Sequence, residues 1–294
     1  MPSRAPFPLM VAFDGSRPAL NALAAGLAFP WPAGASAHVV VARGSPRASG
    51  RSAHARIAHD RAVLRTADQA CRKLARRWPA ADVRLVDATP VAGILREARR
   101  RRARAIVLGW RGHGVFRRLL MGSVSRGVIR HSTCPVLVVR HRPREIRRLL
   151  VGLDGSAHAR HAVDFIARLA PPRGGRVILV RVVEPVPPLT SGFMPADVRR
   201  VLRNEAAQRH GRQRRLAERY LARVARRLQR AGWKVRTVVC TGAPLAELLA
   251  SADAESADVL VVGARGTSGL RRLLLGSVAE GALNQSPIGV LVVR

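Results

Sequence analysis

Residues 105–140 and 259–294 align without a gap, and 18 of the 36 positions are identical. That repeat constrains the fold more than any other property of the chain, because a sequence that spells a segment twice builds the same unit twice. Within it, Gly109-x-x-Gly112 is followed after nine residues by Gly122-Ser123, and Gly263-x-x-Gly266 after nine by Gly276-Ser277. Each copy joins an apolar strand to a helix. Glycines at such a junction let the backbone turn with positive φ and approach a ligand closely. The unpaired N–H groups and positive end of the following helix attract an anion. The loop reads as a phosphate cradle.

The starts of the two copies also correspond: Met10-Val-Ala-Phe-Asp14-Gly15-Ser16 matches Leu150-Val-Gly-Leu-Asp154-Gly155-Ser156. The offset grows from 140 at the aspartates to 154 at the glycines, so the second copy carries a net insertion of 14 residues. The basic, proline-containing stretch 141–144 separates domains expected at residues 1–143 and 144–294, each of ordinary domain size. In each half, apolar strands alternate with helical patterns, the signature of an α/β parallel sheet covered on both faces. Strands are expected at 9–13, 37–42, 83–86, 105–108 and 136–139, and again at 147–153, 177–183, 235–239, 259–262 and 289–293. Helices are expected near Ser16 and Ser156, at 60–77 and 197–230, at 91–102 and 245–254, and from Ser123 and Ser277. Leu216, Tyr220, Val224 and Leu228 recur at helical spacing and read as core, not as a cofactor box.

The 52 basic residues against 18 acidic ones give a net charge of +34. A field of that size attracts nucleic acid, anionic membranes and phosphorylated ligands, and it opposes a compact fold by self-repulsion. Two readings compete. One is a polyanion binder; the other is a solvated surface with arginines spread along helix faces, such as Arg72, Arg76, Arg77 and residues 99–102. One tyrosine and six phenylalanines leave little for base stacking, and no RNA-binding signature is present, which favours the second. Cys71, Cys134 and Cys240 have neither CxxC nor CxxH spacing, so they are expected as buried small hydrophobes. No apolar run reaches 18 residues and the N-terminal residues pass straight into a strand, so a soluble, cytoplasmic protein without membrane association is expected.

Taken together, Asp-Gly-Ser after the first strand and the G-2x-G-9x-G-S loops resemble the adenine-nucleotide-binding branch of the universal stress protein family, in a tandem form covering nearly the whole chain. The resemblance implies two Rossmann-like (adenine nucleotide alpha hydrolase-like) domains, each a five-stranded parallel sheet of order 3-2-1-4-5 with helices on both faces. It places ATP at the carboxyl ends of strands one and four, where open α/β sheets take ligands. Carried over residue by residue, Asp14 and Asp154 would meet the ribose and any Mg2+. Gly109, Gly112, Gly122 and Ser123, with Gly263, Gly266, Gly276 and Ser277, would hold the phosphates through backbone N–H groups and the serine hydroxyl. Val182 would pack against adenine, with Arg43 at the corresponding place in the first half. The implied cofactor is ATP with Mg2+ as its companion. The implied partners are an adenine nucleotide and, through strands 136–139 and 290–293, the other half in an internal pseudo-dimer, with a homodimer as the intermolecular version.

Simpler accounts exist for some of these residues. Ser123 and Ser277 suit helix N-caps, and an Asp-Gly turn before a capped helix would by itself explain Asp14 and Asp154. With both elements present in both halves, binding is the stronger reading. The first site departs from the second: Trp110 stands where the second half has Ala264, so it either shields or fills the pocket. Cys134-Pro135 becomes Ile288-Gly289 before the last strand. Arg111/Arg265, Arg117-Arg118 and Arg271-Arg272 fall in or beside the loops and suit either phosphate or an amphipathic turn. His113 adjoins the first cradle.

No lysine precedes Ser123 or Ser277, which excludes a Walker A loop, and Gly112-His113-Gly114 lacks the third glycine of a dinucleotide fingerprint. His158 and His161 share a helix without a partnering carboxylate motif and read as a solvated face, so no metal site is expected. No paired carboxylates or nucleophile–base spacing marks a catalytic centre. The sequence therefore describes an ATP-binding stress-response module. The alternatives are a polyanion-associated or nucleic-acid-associated protein with a vestigial pocket, and a weak ATPase.

Overall fold

The fold is that of a computed structural model, which describes residues 6–42, 53–75, 77–111, 121–185, 195–267 and 275–294. The first half runs β1 (Phe7–Ala12), α1 (Arg17–Ala28), β2 (Ala35–Ala42), α2 (Ala53–Ala75), β3 (Asp82–Val86), α3 (Pro90–Arg100), β4 (Ala105–Gly109), α4 (Ser123–His131) and β5 (Val136–Val139). The second repeats it as β6 (Arg148–Gly152), α5 (Ala157–Ile166), β7 (Arg176–Val183), α6 (Ala196–Arg230), β8 (Lys234–Thr241), α7 (Pro244–Ala254), β9 (Val259–Gly263), α8 (Ser277–Gln285) and β10 (Gly289–Val293).

All ten strands form one sheet, ordered β3-β2-β1-β4-β5-β10-β9-β6-β7-β8. Only β5 and β10 pair antiparallel, with Leu137 opposite Leu291. The central strands are nearly continuous apolar runs, such as Ala105–Gly109 and Val259–Gly263, because helices cover both of their faces. On one face, α1, α2, α5 and α6 pack into a core shared by both halves. On the other, α3, α4, α7 and α8 do the same.

The seam between the halves is reciprocal. Arg140, just after β5, donates to the carbonyls of Leu283 and Asn284 at the end of α8. Arg294, just after β10, donates to those of Ile129 and Arg130 at the end of α4. These are last-turn carbonyls that a helix cannot pair itself, and a cation there also meets the negative end of the helix. The repeat-equivalent positions thus exchange the same bonds, as a two-fold interface requires. Phe7 and Trp31 of the first half also meet Phe165 of the second, with ring centroids 6.0 and 6.5 Å apart.

Several sequence expectations change. Helix α2 starts at Ala53, ahead of the expected residue 60. Leu216 is 55% exposed and not core, because each four-residue step along α6 drifts about 40° in phase and carries it off the buried face of Ala217, Leu221, Ala225 and Leu228. The three cysteines are half-buried, not buried.

Candidate functional site

The chain leaves β6 through Leu153 and turns at Gly155, whose φ of 82° suits glycine. Within this turn Asp154 Oδ1 accepts the Ser156 N–H at 2.9 Å, and Ser156 Oγ accepts the Ala159 N–H at 3.1 Å, capping α5. The same hydroxyl donates to the Arg265 carbonyl at 3.2 Å, which ties the Asp-Gly-Ser turn to the glycine loop. In the first half Asp14 and Ser16 make the equivalent turn, at 3.0 and 3.3 Å. Both aspartates thus make the turn that caps the next helix, and in the second half this turn also lies beside the glycine loop, with Asp154 Oδ1 held by the turn and Oδ2 facing Gly266.

The glycines stand where the backbone has no room. A Cβ on Gly263 would lie 2.9 Å from the Cβ of His158, and one on Gly276 3.3 Å from the Cα of Arg265. A Cβ on Gly266 would lie 2.7 Å from Asp154 Oδ2, inside contact distance. In the first half a Cβ on Gly109 would fall 2.6 Å from the backbone of Pro18.

Two expected roles need correcting. The N-caps of α4 and α8 are Gly122 and Gly276 in extended conformation, and Ser123 and Ser277 are the first helical residues, without a side-chain capping bond. The Gly122 and Gly276 N–H groups are also not free: they donate to the carbonyls of Trp110 at 3.0 Å and Ala264 at 2.9 Å. The first intrahelical bond of α8 comes from Glu280 to Gly276, so the amides open to a ligand are those of Ser277, Val278 and Ala279.

In the second half a cleft of about 710 Å³ opens at the carboxyl ends of β6 and β9. Asp154, Val182, Gly263, Gly266, Gly276 and Ser277 all line it. Sequence reasoning missed three further walls. Arg181 donates to the Leu153 carbonyl at 3.2 Å and lies 5.8 Å from the ring centre of Tyr220. Tyr220, on α6, packs against the core and also borders the cleft. Its buried hydroxyl has no hydrogen-bond partner among the described residues, and burial pushes its pKa up. Leu248 closes the floor from α7. The signals were there in part: Arg181 neighbours Val182, and Tyr220 is the single tyrosine of the chain.

His158 is half-buried behind Gly263, not on a solvated face. Its Nδ1 has no partner, and burial and then Arg265 hold its pKa below the usual histidine value.

In the first half, the Trp110 indole N–H donates to the Leu283 carbonyl across the seam at 2.9 Å, and the guanidinium groups of Arg140 and Arg111 lie 3.7 and 4.5 Å from its ring centre. Gly112, Arg43, His113, Arg117, Arg118, Arg271 and Arg272 lie outside the described residues.

Among the described residues no group of three or more His, Cys, Asp or Glu side chains could hold a metal ion, and no helix is long and apolar enough to cross a membrane. A lone carboxylate such as Asp154 suits Mg2+ only when phosphate oxygens complete the shell.

A model of the universal stress protein family matches residues 7–140 and again 145–294. One universal stress protein of Mycobacterium tuberculosis is 31% identical over 205 residues, which are 66% of this chain and 60% of the relative, so the match spans less than two thirds of that relative's length. A second from the same organism is 30% identical over 227 residues, 71% of this chain and 68% of the relative. The crystal structure of a universal stress protein from Archaeoglobus fulgidus superposes over 98% of both chains with a TM-score of 0.62, at 21% identity, a likeness of fold. The chain belongs to the universal stress protein family.

Proposed function

We propose that this member of the family is a cytoplasmic stress-response module of two domains, residues 1–143 and 144–294, that binds ATP in the cleft of the second. Adenine packs against Val182 on β7, and Asp154 accepts hydrogen bonds from the ribose hydroxyls. The phosphates run over Gly263, Gly266 and Gly276 to the first turn of α8, where the amides of Ser277, Val278 and Ala279, the Ser277 hydroxyl and the positive helix end meet their charge. Asp154 would help hold Mg2+ there, and the ion would neutralise phosphate charge. Asp14, Gly109, Gly112, Gly122 and Ser123 form the corresponding, second cradle.

The observation that carries this reading is the facing pair Asp154 and Gly266 at the mouth of a 710 Å³ cleft that ends on a helix N-terminus. A cleft of that size matches a nucleotide-sized ligand. The reading is tested by photolabelling the full chain with an 8-azido adenine nucleotide. Label in the peptides carrying Val182 and Tyr220, competed away by ATP, is expected. Label confined to other peptides, or unaffected by ATP, would overturn it.

A further inference from the structure

Helix α6 carries a charge pattern that the cleft does not use. It has 35 residues, about 52 Å at 1.5 Å per residue, and its buried positions, Ala217, Leu221, Ala225 and Leu228, all lie in its second half. On the opposite face stand Arg212, Arg215, Arg219, Arg223, Arg226 and Arg230, spaced by 3, 4, 4, 3 and 4 residues and all exposed. At 3.6 residues per turn they fall within about 80° of one another along roughly 27 Å of helix. Of the ion pairs of the helix, Arg209–Glu205 precedes this stripe along the axis, and Arg214–Glu218 and Arg227–Asp164 lie off it. Among the described residues no carboxylate pairs with any of the six. Like charges at these spacings repel and weaken a helix, so an anion spanning several turns would stabilise the stripe.

We infer that the outer face of α6 docks the phosphate backbone of double-stranded DNA. A helix 10–12 Å across matches a B-form major groove about 12 Å wide, where a straight row of arginines reaches phosphates along the groove walls. The deep, narrow major groove of duplex RNA does not admit it. Single strands need stacking aromatics, and Tyr220, the one aromatic residue on the helix, lines the cleft instead. A membrane needs an apolar stripe, whereas the exposed Val198, Val201 and Leu216 are separated by Glu205, Arg209 and Arg212. Contacts of this kind carry no base information, so binding is independent of DNA sequence. The repeat-equivalent positions in the first half keep Arg61, Arg65, Arg72 and Arg76 but have Ala58 and Gln69 at the other two, which makes Arg61, Arg65 and Arg72 on α2 a charge-matched control.

The test is fluorescence anisotropy of the full chain with a labelled DNA duplex at several salt concentrations. At about 0.9 per phosphate contacted by the six arginines, log affinity should fall against log salt with a slope of about −5. The triple variant Arg215→Glu, Arg219→Glu, Arg226→Glu should lose at least about tenfold in affinity and about 3 in slope while still binding ATP. The control Arg61→Glu, Arg65→Glu, Arg72→Glu should stay within about threefold of the parent. Should the stripe variant fail to fold, the milder Arg215→Gln, Arg219→Gln, Arg226→Gln is read the same way. Equal losses in the stripe and control variants, no duplex binding, equal affinity for duplex RNA, or a preference for phosphatidylserine vesicles would each overturn the inference. Since Gly266→Asp should leave DNA binding intact, loss of the nucleotide reading and loss of this one are told apart.

Discussion

Asp154 and Gly266 face each other so closely that a Cβ at position 266 would stand 2.7 Å from Asp154 Oδ2. The carboxylate cannot swing aside freely, because its other oxygen accepts the Ser156 N–H at 2.9 Å in the turn that caps α5. Gly266→Ala therefore pushes the carboxylate out of the position that the ribose would meet. Since hydrogen bonds to charged groups contribute about 1.5–3 kcal/mol, ATP affinity should fall roughly 10- to 100-fold. Stability should drop by less than about 1 kcal/mol, because Gly266 is on the surface of the cleft and not in the core. Isothermal calorimetry and urea unfolding of the same preparation separate the two effects.

The reciprocal arginines of the seam make a second prediction. Arg140→Ala leaves the Leu283 and Asn284 carbonyls without their cation and uncovers the Trp110 ring; Arg294→Ala does the same for Ile129 and Arg130. Each should cost about 1–3 kcal/mol in urea unfolding, with Arg140→Ala the larger because it also removes a ring contact. Trp110→Phe, which keeps the ring but not the N–H bonded to Leu283, should cost about 1 kcal/mol.

Glu97 predicts a pH dependence. Its carboxylate is 4% exposed and accepts from Arg100 and Arg101, at 2.6–2.8 Å, with Arg84 close by. Those bonds hold its pKa at about 2, against an ordinary 4.5. A carboxyl group lowered on folding stabilises the fold above its unfolded pKa and loses that contribution as the pH falls toward the folded one. The stabilisation is thus full above about pH 4.5 and fades down to about pH 2. Glu97→Gln should cost on the order of 2 kcal/mol at neutral pH, and the gap between variant and parent should close across that window. Urea midpoints measured against pH check it.

Tyr220 behaves differently on its two ends. Its hydroxyl is buried without a partner, so Tyr220→Phe should leave stability unchanged or raise it by up to about 1 kcal/mol, whereas Tyr220→Ala removes a wall of the cleft and should cost about 3 kcal/mol. Thermal unfolding of both variants distinguishes the contributions of ring and hydroxyl.

Much of this was legible in the residues because the signals are local. The alternation of apolar strands and helical runs, the duplication, and the glycine spacing all lie within short windows, and the residues they marked in the second half border one cleft. What was missed depends on contacts between distant segments. Leu216 stands at four-residue spacing from Tyr220, Val224 and Leu228, but each step drifts about 40° in phase and turns it off the buried face toward the cleft. Arg181 and Tyr220 meet only because β7 and α6 pack together. Trp110 is conspicuous in its loop, yet its partner is the end of α8, 173 residues away. Ser277 resembled a cap because serine so often is one, while the extended backbone at Gly276 does that work.

The central claim is that the second-half cleft holds an adenine nucleotide between Asp154 and the first turn of α8. Its most direct measurement is calorimetric titration of ATP into the full chain, its Asp154→Ala variant and its Gly266→Asp variant. Saturable binding by the parent, weakened roughly tenfold or more by Asp154→Ala and abolished by Gly266→Asp, is the predicted result. Equal ATP affinity in all three folded proteins would contradict it.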